Sequence, residues 1–185
     1  FADHKHPDLV LDVLASPALT ELSRTLCVKD EGTDLCVPFA VDLLFKREPI
    51  LWHQGAVHPG GYPYLNIAIY LDDSEGKGSA KYVPGSHKTQ VDICSHEAKH
   101  GWLAGVEVPA KAGDVIVSDM MIVHGSESVP DPKKARRILY VEMRPTQGWL
   151  ESNTQSMEWL HFQEKFMGLV IRRSGDPARF SSAWQ

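Results

Sequence analysis

Between Cys36 and Met143 the hydrophobic residues come in short runs, several of which alternate with polar residues. This alternation is typical of strands with one buried face, because strand side chains point to the two faces of a sheet in turn. Turn-forming segments rich in Gly, Pro and Asp separate the runs, and no helical pattern lies between them. The order predicts antiparallel sheets in a sandwich or barrel rather than a parallel sheet. The runs are VPFAVDLLF (37–45), YLNIAIYL (64–71), AKYVP (80–84), VEVPA (106–110), DVIVSDMMIV (114–123) and RILYVEM (137–143).

Helical patterns occur at both ends of the chain. Residues 7–27 repeat leucine at helical spacing, and Ser16 followed by Pro17 is typical of an N-cap and the first helical residue. The tail from Trp149 onward contains MEWLHFQEKFMGLVI, with apolar residues at mixed helical spacing. We expect this helix to pack outside the barrel, with a lid or a dimer contact as alternatives. The sequence thus predicts a single, mainly β domain over residues 1–185 with flanking helices.

Composition and charge narrow the class of protein. The 185 residues are 43% hydrophobic and 23% charged, as in ordinary globular proteins. A formal net charge of −5 argues against a nucleic-acid polymer as partner, and no apolar run approaches the length of a membrane span. Three cysteines without C-x-x-C spacing argue against a disulfide framework and favour a reducing cytoplasm. The chain begins at Phe1 rather than Met, so we expect a trimmed N-terminus; the oligomeric state stays open.

Two histidines stand out among the nine in the chain. His53 lies in the segment WHQG, and His124 ends the apolar run DVIVSDMMIV. A histidine and an acid two residues apart on an inward-facing strand, with a second histidine from a distant strand, form the facial triad that holds Fe(II) with open positions. Position 55, where the acid would stand, is Gly55. The histidines that we do not expect to be ligands are His58, His87 (in the turn PGSHK), His96, His100 and His161.

An arginine pair follows His124 at the start of the last run. A strand-borne arginine near an iron site can hold a carboxylate through two hydrogen bonds. Because side chains alternate, one of Arg136 and Arg137 should face inward and the other outward.

These segments resemble the phytanoyl-CoA dioxygenase family of Fe(II)/2-oxoglutarate oxygenases. The resemblance rests on WHQ, YLNIAIYLDD, VPGSHK, AGDVIV, HGS and the arginine pair, with LDDSEGKGSAKYVPGSHK as its most specific segment. It implies a double-stranded β-helix, or jelly roll, that uses Fe(II), 2-oxoglutarate and O2. It also implies that His53 and His124 are metal ligands, and that Arg136 binds the distal carboxylate of 2-oxoglutarate. In that match Arg137 is the register alternative to Arg136, and Ser126 is a supporting contact.

Gly55 leaves three functional readings open. Family members with Gly or Ala here resemble halogenases, in which chloride takes the vacant position and chlorine is transferred to an unactivated C–H of a small molecule with release of succinate and CO2. A buried chloride needs nearby hydrogen-bond donors, and Asn66 is the candidate. Alternatively the protein is a hydroxylase, with water, Asp119 or Glu142 filling the vacancy. The third reading is a non-catalytic binding module on a jelly-roll scaffold.

Overall fold

The computed structural model describes most of the chain and divides it into two compact units. One unit comprises residues 1–39, 59–63 and 143–185, and the other comprises residues 40–58 and 64–142. The prediction of a single domain over the whole chain stays a prediction. The described residues are 7–27, 36–46, 48–55, 64–76, 78–95, 105–129, 131, 135–145 and 155–175.

The described residues form three α-helices and eight strands. The helices are α1 (Pro7–Leu14), α2 (Pro17–Cys27) and α3 (Met157–Ser174), and a short 3-10 turn covers Ser86–Lys88. The strands are β1 (Cys36–Lys46), β2 (Ile50–His53), β3 (Leu65–Tyr70), β4 (Ala80–Tyr82), β5 (Val106–Val108), β6 (Val115–Asp119), β7 (His124–Ser126) and β8 (Arg136–Pro145).

Helix α2 begins where the sequence predicts, at Pro17 after the N-cap Ser16. Ser16 Oγ accepts a hydrogen bond from Leu19 N at 3.4 Å, which caps α2 ahead of Pro17. Helix α3 is capped in the same way by Ser156 and ends at Gly175 in the left-handed conformation. Arg173 Nε on α3 donates to Asp12 Oδ1 on α1 at 2.6 Å. No helix among the described residues is long and apolar enough to cross a membrane.

The strands form two four-stranded sheets, as expected for a mainly β jelly roll. Their orders are β1-β8-β3-β6 and β2-β7-β4-β5, so neighbours in each sheet are distant in sequence. The β3–β6, β2–β7, β4–β5 and β4–β7 pairs are antiparallel. A buried hydrophobic cluster consists of Ala68, Tyr70, Ala110 and Ile138. The predicted fold class is therefore confirmed.

One predicted strand is divided in two. The run 114–123 was expected to be a single strand that ends at His124. Instead β6 ends at Asp119, and residues 120–123 turn the chain into the second sheet, where His124 begins β7. Asp119 Oδ1 stabilises this turn by accepting a hydrogen bond from Met121 N at 2.7 Å. An apolar run cannot reveal a change of sheet, since both sheets bury the same residue types.

Candidate active site

The sheet pairing brings His53 and His124 side by side. The two residues are direct partners in the β2–β7 register, and their ring centroids are 4.1 Å apart. The register shifts between Ile50 and His53, which is the kind of irregularity that re-aims a side chain. Gly125 permits the close approach of β2, because a Cβ there would lie 2.9 Å from the carbonyl oxygen of Ile50. Two histidines from distant segments thus lie close enough to share one ion.

Backbone carbonyls fix the proton position on both imidazoles. His53 Nδ1 lies 2.8 Å from the Leu51 carbonyl oxygen, and His124 Nδ1 lies 2.8 Å from the Ile122 carbonyl oxygen. A carbonyl oxygen can only accept, so each Nδ1 carries the hydrogen and, in the neutral ring, Nε2 carries a lone pair. A hydrogen bond from one ring nitrogen to a carbonyl is the usual support of a metal-binding histidine.

Burial keeps the His124 ring neutral. Burial, followed by the neighbouring His53, lowers the pKa of His124 to about 4, against a smaller opposite effect of the Ile122 carbonyl. Tyr82 also covers the His124 ring, in a stacked arrangement with centroids 5.7 Å apart. A neutral imidazole needs to lose no proton before it binds a metal.

The metal-free protein should lose stability as the pH falls from about 6.5 to about 4. In this window the unfolded chain has taken up a proton on His124 and the folded chain has not, so protonation favours unfolding. The depressed pKa corresponds to roughly 3 kcal/mol of unfolding free energy, fully present above pH 6.5. Urea unfolding of the metal-free protein across this range tests the prediction, with His124→Gln as the control that should flatten the pH dependence. A slope that is identical in both proteins would contradict it.

A cavity of about 470 Å³ lies next to the histidine pair and is lined by both sheets. The even-numbered residues of β8 face it, so Arg136 points inward and Arg137 points outward. Arg137 is exposed and pairs with Asp72, whose oxygen accepts at 2.6 Å. Besides the histidines, the polar residues of the cavity are Asp42, Asn66, Tyr70, Tyr82, Ser126, Arg136, Tyr140 and Glu142.

Two hydrogen-bond donors in this cavity lack acceptors. Among the described residues, the buried side-chain atoms without a partner are Ser126 Oγ and Arg136 Nε. The other guanidinium nitrogens of Arg136 are fixed, because Nη1 donates to Gly78 O at 2.7 Å and Nη2 donates to Glu48 O at 3.0 Å. A buried polar atom without a hydrogen-bond partner costs free energy, so Ser126 Oγ and Arg136 Nε are candidate donors to a ligand in this cavity. A carboxylate, which only accepts, fits both donors.

Gly55 lies outside this cavity. Strand β2 ends at His53, so the strand alternation that was expected to place positions 53 and 55 on one face does not apply. Gly55 N donates to Met120 O at 2.7 Å, and a Cβ at Gly55 would lie 2.6 Å from that same oxygen. Gly55 instead lines a shallow groove with Gln54, Gln90 and neighbouring residues.

The acidic residues considered as substitute ligands have different positions. Asp119 belongs to the turn after β6, whereas Glu142 lines the cavity. Asn66, the candidate hydrogen-bond donor to a halide, also lines the cavity from β3. In the described part of the chain, no third His, Cys, Asp or Glu joins the histidine pair in a metal-binding group.

Residues that position the site were missed in the sequence. Gln54 Nε2 lies within 3.0 Å of the carbonyl oxygens of Ser86, Thr89 and Met121, and its Oε1 accepts from Val91 N at 2.8 Å. Ser86 Oγ accepts from Val123 N at 2.7 Å. These bonds tie the PGSHK turn to the segments that precede His124 and follow His53. A single polar residue such as Gln54 or Ser86 gives no sequence signal of such non-local contacts.

Comparisons with known proteins agree with the fold. The model of the phytanoyl-CoA dioxygenase family matches residues 2–138. No curated protein sequence matches the chain significantly. The crystal structure of EvdMO1 is similar with a TM-score of 0.60 and 31% identity, over 72% of this chain and 32% of that one. The non-heme alpha-ketoglutarate-dependent carbocyclase SnoK from nogalamycin biosynthesis is similar with a TM-score of 0.57 and 25% identity, over 76% of this chain and 59% of that one.

A third solved structure contains ligands. HygX from Streptomyces hygroscopicus, with nickel and 2-oxoglutarate bound, has a TM-score of 0.56 and 19% identity, over 74% of this chain and 65% of that one. At this identity the similarity concerns the fold alone. The chain spans about a third of EvdMO1 and about three fifths of SnoK. The family match covers well over half of the chain, and two antiparallel sheets carry the matched segments. The chain therefore belongs to the phytanoyl-CoA dioxygenase family of non-haem iron, 2-oxoglutarate-dependent oxygenases.

Proposed function

We propose that this chain oxidises a small molecule with Fe(II), 2-oxoglutarate and O2, that His53 and His124 hold the iron, and that Arg136 and Ser126 hold the distal carboxylate of 2-oxoglutarate. One observation carries the proposal: two imidazoles with Nε2 lone pairs and two buried donors without acceptors line a single cavity. The donor types match the two groups, since imidazole suits iron and a guanidinium suits a carboxylate.

In this proposal the residues of the chain bind and orient the iron and 2-oxoglutarate. The bound iron and 2-oxoglutarate supply the oxidising power for attack on an unactivated C–H bond, with O2 consumed and succinate and CO2 released. The carbonyls of Leu51 and Ile122 hold the two imidazole rings in one tautomer. Apolar side chains such as Leu44 and Ile138 cover the cavity and limit its water.

The substrate we infer is a small molecule. A volume of about 470 Å³ lies in the usual range of small-molecule sites, and 2-oxoglutarate takes part of it. One HygX structure, which is similar in fold, contains hygromycin B together with nickel and 2-oxoglutarate. Incubation of the protein with Fe(II), 2-oxoglutarate and O2 in the presence of candidate compounds tests the proposal. Succinate release that rises with one compound supports it, and no metal uptake and no succinate would contradict it.

We propose chlorination as the specific reaction, because neither residue 55 nor any described acid supplies a third protein ligand beside the histidine pair. The position that carries the acid in the family has no room for a side chain, because Met120 O lies within 2.6 Å of where its Cβ would be. No described acid joins the histidine pair. A chloride ion in the cavity beside the histidines would supply the missing charge and donor atom, with Asn66, which lines the same cavity, as a candidate hydrogen-bond donor to it. Hydroxylation is the alternative, with water or Glu142 in the same position.

With chloride present, we expect a product that shows the isotope doublet of one chlorine atom. The reaction is run in chloride-free buffer and again with chloride, and the products are compared by mass spectrometry. Bromide in place of chloride should give the corresponding bromine pattern, since both halides are weakly hydrated monovalent anions. Products that gain only one oxygen atom, at a rate independent of halide, would contradict chlorination and favour the hydroxylase.

A further inference from the structure

We infer that Met120 is the specificity-determining side chain of this site: it fills the space that an acid at position 55 would need, and it forms the wall beside the histidine pair. The inference rests on the proposed function. It places the control of the third coordination position at residue 120, on the turn between β6 and β7, rather than at residue 55.

Met120 leaves no room for a side chain at position 55. A Cβ at Gly55 would lie 2.6 Å from Met120 O, 3.1 Å from Met120 Cε and 3.2 Å from Met120 Cβ. A backbone oxygen cannot move aside as a flexible side chain can. This oxygen is also held in place, because it accepts from Gly55 N at 2.7 Å and Met120 N donates to Tyr64 O at 2.9 Å.

Met120, unlike Gly55, lines the cavity of His53 and His124. The turn that carries Met120 leads directly into His124. The Met120 carbonyl oxygen also accepts a hydrogen bond from Gly55 N, in the segment that follows His53. Its thioether chain is apolar and polarizable. Such a wall supplies neither a charged metal ligand nor a hydrogen-bond donor, so a halide at the neighbouring coordination position would need its donors from elsewhere in the cavity.

This geometry predicts that a carboxylate can be supplied from position 120 and not from position 55. Co(II) affinity is measured by calorimetry for the wild type, Met120→Asp, Met120→Asn and Gly55→Asp. We expect Met120→Asp to bind Co(II) about 10-fold or more tightly than Met120→Asn, because only the acid adds a charged donor. Met120→Glu and Met120→Gln repeat the comparison with a longer side chain, in case the shorter acid does not reach or fold.

Gly55→Asp should lose stability without gaining metal affinity. Overpacking against the Met120 backbone is expected to lower the melting temperature by roughly 2–10 °C. Gly168→Ala on α3 is the matched glycine control, since its Cβ meets only Arg172 Nη1 at 3.7 Å, and its melting temperature should not fall.

The outcomes separate the two proposals. If the wild type binds no Co(II) with 2-oxoglutarate present, the proposed function fails, and the inference fails with it. If the wild type binds Co(II) and both acids at position 120 bind it no better than their amides, this inference alone is overturned. Tighter Co(II) binding by Gly55→Asp at an unchanged melting temperature would also overturn it.

Discussion

A protein carrying His124→Ala is expected to lose stoichiometric binding of Fe(II) or Co(II). His53 and His124 are the two described side chains that present Nε2 lone pairs to one space, with ring centroids 4.1 Å apart. Removing even a supporting residue of a metal site costs about 10–100-fold in affinity, so removal of one of two protein ligands should cost more than about 100-fold. Anaerobic metal titration by calorimetry measures the loss, and His53→Ala should behave in the same way.

A matched control excludes a general effect of removing histidine. His161 is exposed on α3, outside the cavity lining, so His161→Ala should bind metal as the wild type does. Melting curves of the metal-free variants show whether each still folds. Full metal binding by a folded His124→Ala protein would contradict the assignment of this ligand.

The second large effect is expected at Arg136. Arg136→Ala removes a charge-assisted contact worth about 1.5–3 kcal/mol, which corresponds to a roughly 10–150-fold weaker binding of 2-oxoglutarate. The variant also removes the Arg136 hydrogen bonds to the carbonyls of Glu48 and Gly78, of which the latter keeps Ser74 Oγ as a donor, so stability should fall as well. Arg136→Lys keeps the positive charge but loses the planar guanidinium, whose Nη1 and Nη2 bond two backbone oxygens while Nε faces the proposed carboxylate. Binding is measured anaerobically with Fe(II) present, by titration with 2-oxoglutarate.

Arg137 is the neighbouring control. Its guanidinium is exposed and paired with Asp72, and such surface pairs contribute only about 0–1 kcal/mol to stability. Arg137→Ala should therefore leave the affinity for 2-oxoglutarate unchanged. Ser126→Ala, which removes the other unpartnered donor, should weaken binding by a smaller factor than Arg136→Ala. Equal affinities in Arg136→Ala and the wild type would contradict the assignment of the carboxylate site.

The fold was predictable because its strands carry a local signal. The runs at 64–71 and 137–143 alternate or bury apolar residues, and they correspond to β3 and β8. The N-cap at Ser16 and the first helical residue at Pro17 also depend on neighbours in sequence alone. The inward orientation of Arg136 needed one further fact, the strand register, which two adjacent arginines cannot provide by themselves.

The details of the site depend on contacts between segments far apart in sequence. The turn at residues 120–123 is as apolar as a strand, so hydrophobic periodicity alone did not separate β6 from β7. Likewise, Gly55 reads as a lost ligand, whereas in the structure it is the point where the backbone of Met120 approaches. The Gln54 side chain hydrogen-bonds to carbonyl oxygens of residues that lie 32 to 67 positions further along the chain, and no local pattern predicts these bonds.

The central claim is that one metal ion and one carboxylate share the cavity of His53 and Arg136. A crystal structure of the protein grown anaerobically with Fe(II) and 2-oxoglutarate, with anomalous diffraction at the iron edge, measures this most directly. We predict an anomalous peak for an iron ion that is bound by Nε2 of both His53 and His124. We also predict a 2-oxoglutarate carboxylate that accepts hydrogen bonds from Arg136 Nε and Ser126 Oγ. Iron bound elsewhere, or a 2-oxoglutarate molecule that leaves those two donors unpaired, would contradict it.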